Sequence, residues 1–298
     1  MAPTSGGPRR AELIAALSLA IDLGLGQPME HMLRSALIAT RLADRMGLGP
    51  EQQAVVYYSN LVAWIGCHAD SHELAQLFGD DIAFRADTYA VDMTGLSFLR
   101  LLMNHVGRGL PHAERSLRAA VFLFTARRQM SDLIRSHCGS ASALAAHIGL
   151  DPQVGSMLAF TFERWDGAGL PAGVRGDAIP IEMHIVHLAD VVEVHLRAGG
   201  PATAVAVARA RRGTQFCPRV VQPQCTDRLM WQRRVSLCGI GRYVSVVDRP
   251  TSRVGLLHWL FRVEAGQLSG ALDDDRPSPT EGRVEQVVPG CFPRPVGW

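Results

Sequence analysis

The sequence predicts an all-α domain over residues 9–221, followed by an irregular tail over residues 222–298. Of the 298 residues, 47% are hydrophobic, which is enough to bury a sizeable core. Apolar residues recur at helical spacing between short Gly- and Pro-containing stops, and the alternation typical of strands is scarce. We expect residues 1–8 to be disordered.

The spacing of apolar residues and the stops predict the individual helices. A helix over residues 30–46 ends at Gly47-Leu48-Gly49-Pro50, and one over residues 136–148 ends at a similar Gly-Leu-Asp-Pro stretch. Gly tolerates the left-handed position after a helix, and Pro suits the first turn of the next one. Further helices are predicted over residues 51–65, 71–78, 95–106, 113–126, 152–162, 181–196 and 202–212.

The tail differs in composition from the helical part. Residues 222–298 hold three of the five Trp, three of the six Cys and seven of the seventeen Pro residues, without regular helical patterns. One hypothesis is a shifted reading frame of a GC-rich gene, and the alternative is a genuine, loosely ordered extension. We assign the tail no function.

Charge and apolar run length exclude several classes of protein. The net charge of +2 gives no general electrostatic case for nucleic acid or membrane binding. The N-terminus lacks a signal pattern, and no apolar run reaches about 18 residues. The cysteines show no CxxC spacing. We therefore expect a cytoplasmic protein that binds neither membranes nor DNA directly.

The stretch ERWDGAGLPAG over residues 163–173, followed by Gly176-Asp177-Ala178-Ile179-Pro180, is not an ordinary helix connection. It resembles the signature loop of the HD-GYP family, metal-dependent phosphohydrolases best known for opening cyclic di-GMP. The resemblance covers about residues 27–221 and implies an HD-domain-like helical bundle. Degenerate domains of this kind are often fused to a LuxR-type regulator.

Three residues match ligand positions of that family: His31, His137 and Asp190. Considered alone, a His at the start of an apolar helical stripe is more often a satisfied core residue than a ligand. The resemblance implies that the three residues together hold a divalent metal such as Mn or Fe.

The departures from the family pattern are equally specific. Ala63 and Trp64 stand where the defining His-Asp pair is expected, and Thr161 and Phe162 replace two further histidines. Leu170 also replaces the Tyr of the loop. Since the family's metal cluster supplies both the nucleophile and charge stabilisation, we expect weak or no phosphodiesterase activity.

Substitute ligands could come from His68, Asp70 and His72, directly after the altered pair. His68 and His72 would share one helix face at i,i+4 spacing. The alternative, which we favour, is a polar helix start with Asp70 or Ser71 as N-cap.

The loop itself offers groups suited to a phosphate ligand. Arginine side chains and glycine backbone amides bind phosphate, and Trp165 could stack on a base or instead anchor the loop by burial. Glu163 and Asp166 are expected to brace the loop. The candidate ligand-binding residues are Arg164, Trp165, Asp166, Gly167, Gly169 and Arg175.

Three hypotheses follow for the function. The first is a regulatory or nucleotide-sensing module with weak or no turnover. The second is an active phosphohydrolase, similar to cyclic di-GMP phosphodiesterases, with a reduced metal site. The third is a structural bundle that forms a homodimer, as in a truncated transcriptional regulator.

Overall fold

The computed structural model describes residues 10–222, and this part of the chain is helical, which confirms the predicted all-α class. Within that range the only extended pairing is one isolated bridge, between Arg212 and Phe216. The helices are α1 (Arg10–Gly24), α2 (His31–Arg45), α3 (Pro50–Val62), α4 (Cys67–Phe78), α5 (Asp81–Thr88), α6 (Gly95–His105), α7 (His112–His147), α8 (Pro152–Leu158) and α9 (Ile181–Ala210), with a 3₁₀ turn at Gly176–Ala178.

The predicted disordered N-terminus and, apart from residue 222, the predicted irregular tail lie outside the described residues. Among the described helices, none combines the length and apolar character that a membrane span requires.

Helix α2 lies at the centre of the fold and packs mainly against α3 and α9. One face contributes Leu37 to a core shared with α1, α3, α7 and α8, and another contributes Leu42 to a core shared with α9. Both leucines are almost completely buried, and each such side chain stabilises the fold by about 1.5–3 kcal/mol. A third apolar cluster joins α4, α5, α6 and α7.

Several helix bounds differ from the predicted ones. Helix α7 runs unbroken for 36 residues where two helices were predicted, because no Gly or Pro stop lies between residues 126 and 136. Helix α4 begins at Cys67, four residues before the predicted start, with Gly66 as N-cap. The predicted capping role of Asp70 or Ser71 is therefore wrong. Helices α1 and α5 were not among the predicted segments.

Helix α9 contains a sharp kink. Gly200 has φ 74° and ψ −176°, a conformation open essentially to glycine alone, and Pro201 follows it. The two helices predicted over residues 181–196 and 202–212 are thus joined across this bend. The chain then returns to the signature loop, where the backbone N–H of Asp166 donates to the carbonyl of Thr214 at 2.9 Å.

Candidate functional site

Two of the predicted ligands, His31 and Asp190, meet at the contact between α2 and α9. The imidazole of His31 is fully buried, and its Nε2 lies 3.0 Å from Asp190 Oδ1. Its Nδ1 lies 2.6 Å from Oε2 of Glu193, one helical turn beyond Asp190. Both ring nitrogens of His31 are therefore engaged by carboxylates.

Further donors occupy the same two carboxylates. Trp64 Nε1–H donates to Asp190 Oδ2 at 3.3 Å, and the Tyr89 hydroxyl donates to Asp190 Oδ1 at 3.2 Å. Arg34 Nε–H donates to the second oxygen of Glu193 at 2.9 Å. We call His31, Trp64, Tyr89, Asp190 and Glu193 the His31 network.

The charges of the network favour an imidazolium. Burial alone would lower the pKa of His31, but the hydrogen bonds and charges of Asp190 and Glu193 outweigh it and raise the pKa to about 9. Burial would conversely raise the pKa of Glu193, yet its bond to His31 leaves that pKa below the ordinary value.

The third predicted ligand, His137, belongs to a different group of residues. It is buried on α7, with Nε2 3.0 Å from the carbonyl oxygen of Ala63 and Nδ1 3.1 Å from Asp70 Oδ2. Cys67, Asp70 and His137 each offer one donor atom, and these atoms all lie within 4.8 Å of one another. Among residues 10–222 this is the one group of three such side chains found, and we call it the Cys67 cluster.

Aromatic rings lie against both histidines. The ring centroids of Trp64 and Tyr89 are 6.1 Å apart, and Tyr89 contacts His31 edge-on at 5.6 Å. On the other side, Trp64 and Phe162 contact the His137 ring edge-on at 6.0 and 5.0 Å. Trp64 and Phe162, two of the residues that replace expected ligands, therefore fill space beside His137.

The three candidate substitute ligands, His68, Asp70 and His72, also have different surroundings. Asp70 joins the Cys67 cluster, and its Oδ1 accepts a hydrogen bond from Arg85 Nη2 at 2.7 Å. His68 Nδ1 lies 2.6 Å from the carbonyl oxygen of Ile65, and the exposed His72 contacts Gln76. His68 and His72 thus do not join Asp70 in one site. Burial raises the pKa of the Cys67 thiol to about 12.

The signature loop is braced by its own carboxylate, as predicted. Glu163 Oε1 accepts from the backbone N–H groups of Ala172 and Gly173, at 2.8 and 3.2 Å. Position 169 requires glycine because a Cβ there would lie 2.6 Å from the backbone nitrogen of Arg164. Trp165 is half-buried and packs against His184, with ring centroids 5.3 Å apart, which supports its anchoring role.

A cavity of about 380 Å³ opens between the loop, the His31 network and α7. Its wall is rich in aromatic side chains, namely Trp64, Tyr89, Phe98 and Phe162. Of the six candidate residues of the loop, Arg164 and Gly169 line the cavity, whereas Trp165, Asp166, Gly167 and Arg175 do not.

Arg164 and Arg211 give the cavity positive charge. Arg164 is already paired with Asp92 and Asp166. Arg211 is half-buried and donates to Gln215 Oε1 at 3.1 Å, and no carboxylate of the described residues lies within 4 Å of it. Burial and the nearby Arg164 lower the pKa of Arg211, against the opposing effect of Asp92. Arg127 on α7 is exposed and also lines the cavity. Arg127 and Arg211 are thus the two cavity arginines without an ion pair among the described residues.

Three residues of the site were missed at the sequence level: Tyr89, Glu193 and Arg211. Glu193 could have been found, because it follows Asp190 at i,i+3 on the same predicted helix. Tyr89 lies just after α5, which was not predicted, and Arg211 reaches the cavity only through the bend in α9.

Comparison with known proteins relates this geometry to phosphodiesterases. No family model matches the chain. It is 25% identical over 213 residues to the 3'3'-cGAMP-specific phosphodiesterase 3 of Vibrio cholerae, covering 71% of this chain and 46% of that protein. It is 38% identical over 105 residues to the cyclic di-GMP phosphodiesterase response regulator RpfG of Xanthomonas campestris, covering 33% and 26%. The chain therefore spans less than half the length of these relatives.

The fold has a counterpart of known structure. The crystal structure of a cyclic GMP-AMP specific phosphodiesterase from Vibrio cholerae superposes with a TM-score of 0.58 at 21% identity, over 82% of this chain and 55% of that one. The described residues thus share the all-α fold of that enzyme. The chain is thus similar in sequence to parts of two phosphodiesterases and similar in fold to a crystal structure of that class.

Proposed function

We propose that this chain is a nucleotide-binding regulatory module of the HD-domain superfamily with weak or no phosphodiesterase activity. The observation that carries the proposal is the position of Trp64. Its indole stands where the family pattern expects a carboxylate, and it donates to Asp190, which a metal would otherwise use. Trp64, at an expected ligand position, thus donates a hydrogen bond to Asp190, one of the remaining expected ligands.

The other residues of the site do not fit the multi-metal cluster of the family either. Such a cluster activates water and neutralises phosphate charge. Ala63, Trp64 and Phe162 offer neither imidazole nor carboxylate. Of the three expected ligands, His31 and Asp190 meet at the contact between α2 and α9, whereas His137 lies in the Cys67 cluster. We infer that the domain still binds a nucleotide but hydrolyses it weakly or not at all.

The cavity supports a nucleotide as the ligand. The two relatives are named for cyclic di-GMP and 3'3'-cGAMP, and the cavity of about 380 Å³ lies within the usual range of small-molecule sites. Aromatic side chains such as Tyr89 and Phe98 can stack on bases, and Arg211 can pair with a phosphate. We infer that the ligand class is cyclic dinucleotides.

Calorimetric titration with cyclic di-GMP and 3'3'-cGAMP, paired with a turnover assay in Mn²⁺ or Fe²⁺, tests the proposal. We expect saturable binding without hydrolysis. Arg211→Gln should weaken binding by about tenfold, equivalent to ~1.4 kcal/mol. Arg175→Gln is the matched control, because Arg175 is exposed and outside the cavity.

Other outcomes would favour the alternatives. Metal-dependent hydrolysis that is abolished by both His31→Ala and His137→Ala would establish the active phosphohydrolase with a reduced metal site. Absence of both binding and turnover would leave the structural bundle.

One observation favours dimerisation as a second role. Leu117, Val121 and Phe124 are exposed and follow one another at i,i+4 and i,i+7 on α7. The side chain of Phe124 is 91% exposed. We infer that this face pairs with a second copy of the chain. Light scattering should show a dimer that Phe124→Glu converts to a monomer, and a monomeric wild-type protein would contradict this role.

A further inference from the structure

The Cys67 cluster has the properties of a metal centre that is separate from the cavity. We propose that Cys67, Asp70 and His137 bind one zinc-like divalent ion that stabilises the contact between α4 and α7. The site shares only His137 with the ligand set expected from the family pattern, and none of its three residues lines the cavity. It does not rest on the proposed function.

The geometry around His137 directs one of its ring nitrogens at a carboxylate oxygen. The carbonyl oxygen of Ala63 can only accept, so Nε2 must carry its proton. In a neutral imidazole, Nδ1 then presents a lone pair to Asp70 Oδ2 at 3.1 Å. Arg85 Nη2–H donates to the other oxygen of Asp70 at 2.7 Å, which leaves Oδ2 as the oxygen that faces the imidazole. Two acceptors therefore face each other, unless a second proton or a metal ion lies between them.

The donor atoms indicate which metal. A sulfur, a nitrogen and a carboxylate oxygen lie within 4.8 Å of one another, as ligands of one ion must. Thiolate and imidazole suit zinc and similar borderline-soft ions, whereas Mg²⁺, Ca²⁺ and Mn²⁺ prefer oxygen. The three side chains could hold zinc with one coordination position left for a further ligand.

The charge balance permits metal binding in a buried site. Arg85 is paired with both Asp70 and Asp81, so these three groups carry a net charge of minus one. With a divalent ion bound by the Cys67 thiolate and the neutral His137 imidazole, the thiolate, the two carboxylates, Arg85 and the ion sum to zero. A bound divalent ion therefore leaves no net charge in this buried cluster.

The backbone brings α4 and α7 close together at this point. A Cβ at Gly66 would lie 2.8 Å from Cγ of His137, so the absence of a side chain there lets the start of α4 approach α7. Cys67 and Asp70 occupy the first turn of α4 at i,i+3 spacing and therefore face the same neighbour.

The position of the cluster indicates a structural role. Trp64 and Phe162 contact the His137 ring and also line the cavity. A metal at the cluster would hold His137, and through it these two rings, in place. Its removal should loosen the aromatic wall of the cavity without removing any group that contacts a ligand there.

Metal analysis of the full chain tests the proposal, in a background where Cys225, Cys238 and Cys291 are changed to Ser to remove the tail thiols. We expect about one zinc per chain. Replacement by Co²⁺ should produce a thiolate-to-cobalt charge-transfer band. Cys67→Ser should abolish the band and reduce zinc content by at least about tenfold. Cys138→Ser is the matched control, because Cys138 is also buried but lies outside the cluster.

Two results would overturn the proposal: a metal-free protein that gives no charge-transfer band with Co²⁺, or a Cys67→Ser variant that keeps both the band and the zinc. If Cys67→Ser does not fold, the Co²⁺ spectrum of the parent protein still decides, because its two other buried thiols can be changed separately by Cys138→Ser and Cys217→Ser.

Discussion

Two of the buried histidines among the described residues, His31 and His137, have opposite surroundings. His31 lies between two carboxylates that receive further hydrogen bonds from Trp64, Tyr89 and Arg34. His137 faces a carbonyl oxygen and a carboxylate beside a thiol, with no second donor on Asp70 Oδ2 among the described residues. The first arrangement is a buried ion-pair network, whereas the second is the proposed metal site. His31 and His137, which both match ligand positions of the family, thus have different chemical surroundings.

The largest effect should come from breaking the complete network. Glu193→Gln removes the charge that faces His31 and Arg34, and loss of one partner from a buried ion pair costs about 3–5 kcal/mol. Urea unfolding measures this change in the free energy of unfolding. Glu73→Gln on the exposed face of α4 is the control and should change it by less than about 0.5 kcal/mol. Equal losses in both variants would contradict the network.

The network should also make stability depend on pH. The folded-state pKa of His31, about 9, lies above its ordinary value of 6.5, so the stabilisation is fully present below pH 6.5 and is lost as the pH rises to about 9. Its size is about 3 kcal/mol, at ~1.4 kcal/mol for each pKa unit. The difference in unfolding free energy between wild type and His31→Gln should narrow across this range. A constant difference would mean that His31 is not charged in the folded state.

Zinc should raise the free energy of unfolding through the cluster that contains His137. Binding to the folded state at a hundredfold excess over Kd adds about 2.7 kcal/mol to the free energy of unfolding. Thermal or urea unfolding with and without zinc should show this gain in wild type and in His31→Gln, but not in Cys67→Ser. A gain that depends on His31 would assign the metal to the His31 network instead.

The smallest expected change in the free energy of unfolding comes from a substitution of Trp64. Trp64→Phe keeps ring contacts but removes the N–H that donates to Asp190, at a cost of about 1 kcal/mol. A double-mutant cycle with Asp190→Asn isolates this term in urea unfolding. A coupling energy near zero would show that the hydrogen bond contributes nothing to stability.

The sequence predicted the helices whose ends are marked by Gly or Pro, such as α2 and α6, to within one residue at each end. It divided α7 into two helices over residues 113–126 and 136–148, although no Gly or Pro stop separates them. In the site, the i,i+3 spacing from Asp190 could have identified Glu193 as a further site residue. The Cys67 cluster could not be read from spacing alone, because His137 reaches it from another helix and Asp70 was interpreted as a cap.

The bend at Gly200 determines a property of a site that Gly200 does not touch. Asp190 and Arg211 are 21 positions apart, which a straight helix would separate by about 32 Å. Both nevertheless line one cavity of about 380 Å³. The electrostatic contrast across that cavity, carboxylate on one wall and guanidinium on another, is therefore produced by a change of chain direction. Gly200 has no side chain to contact a ligand, but its backbone conformation places the charges of both Asp190 and Arg211 at the cavity.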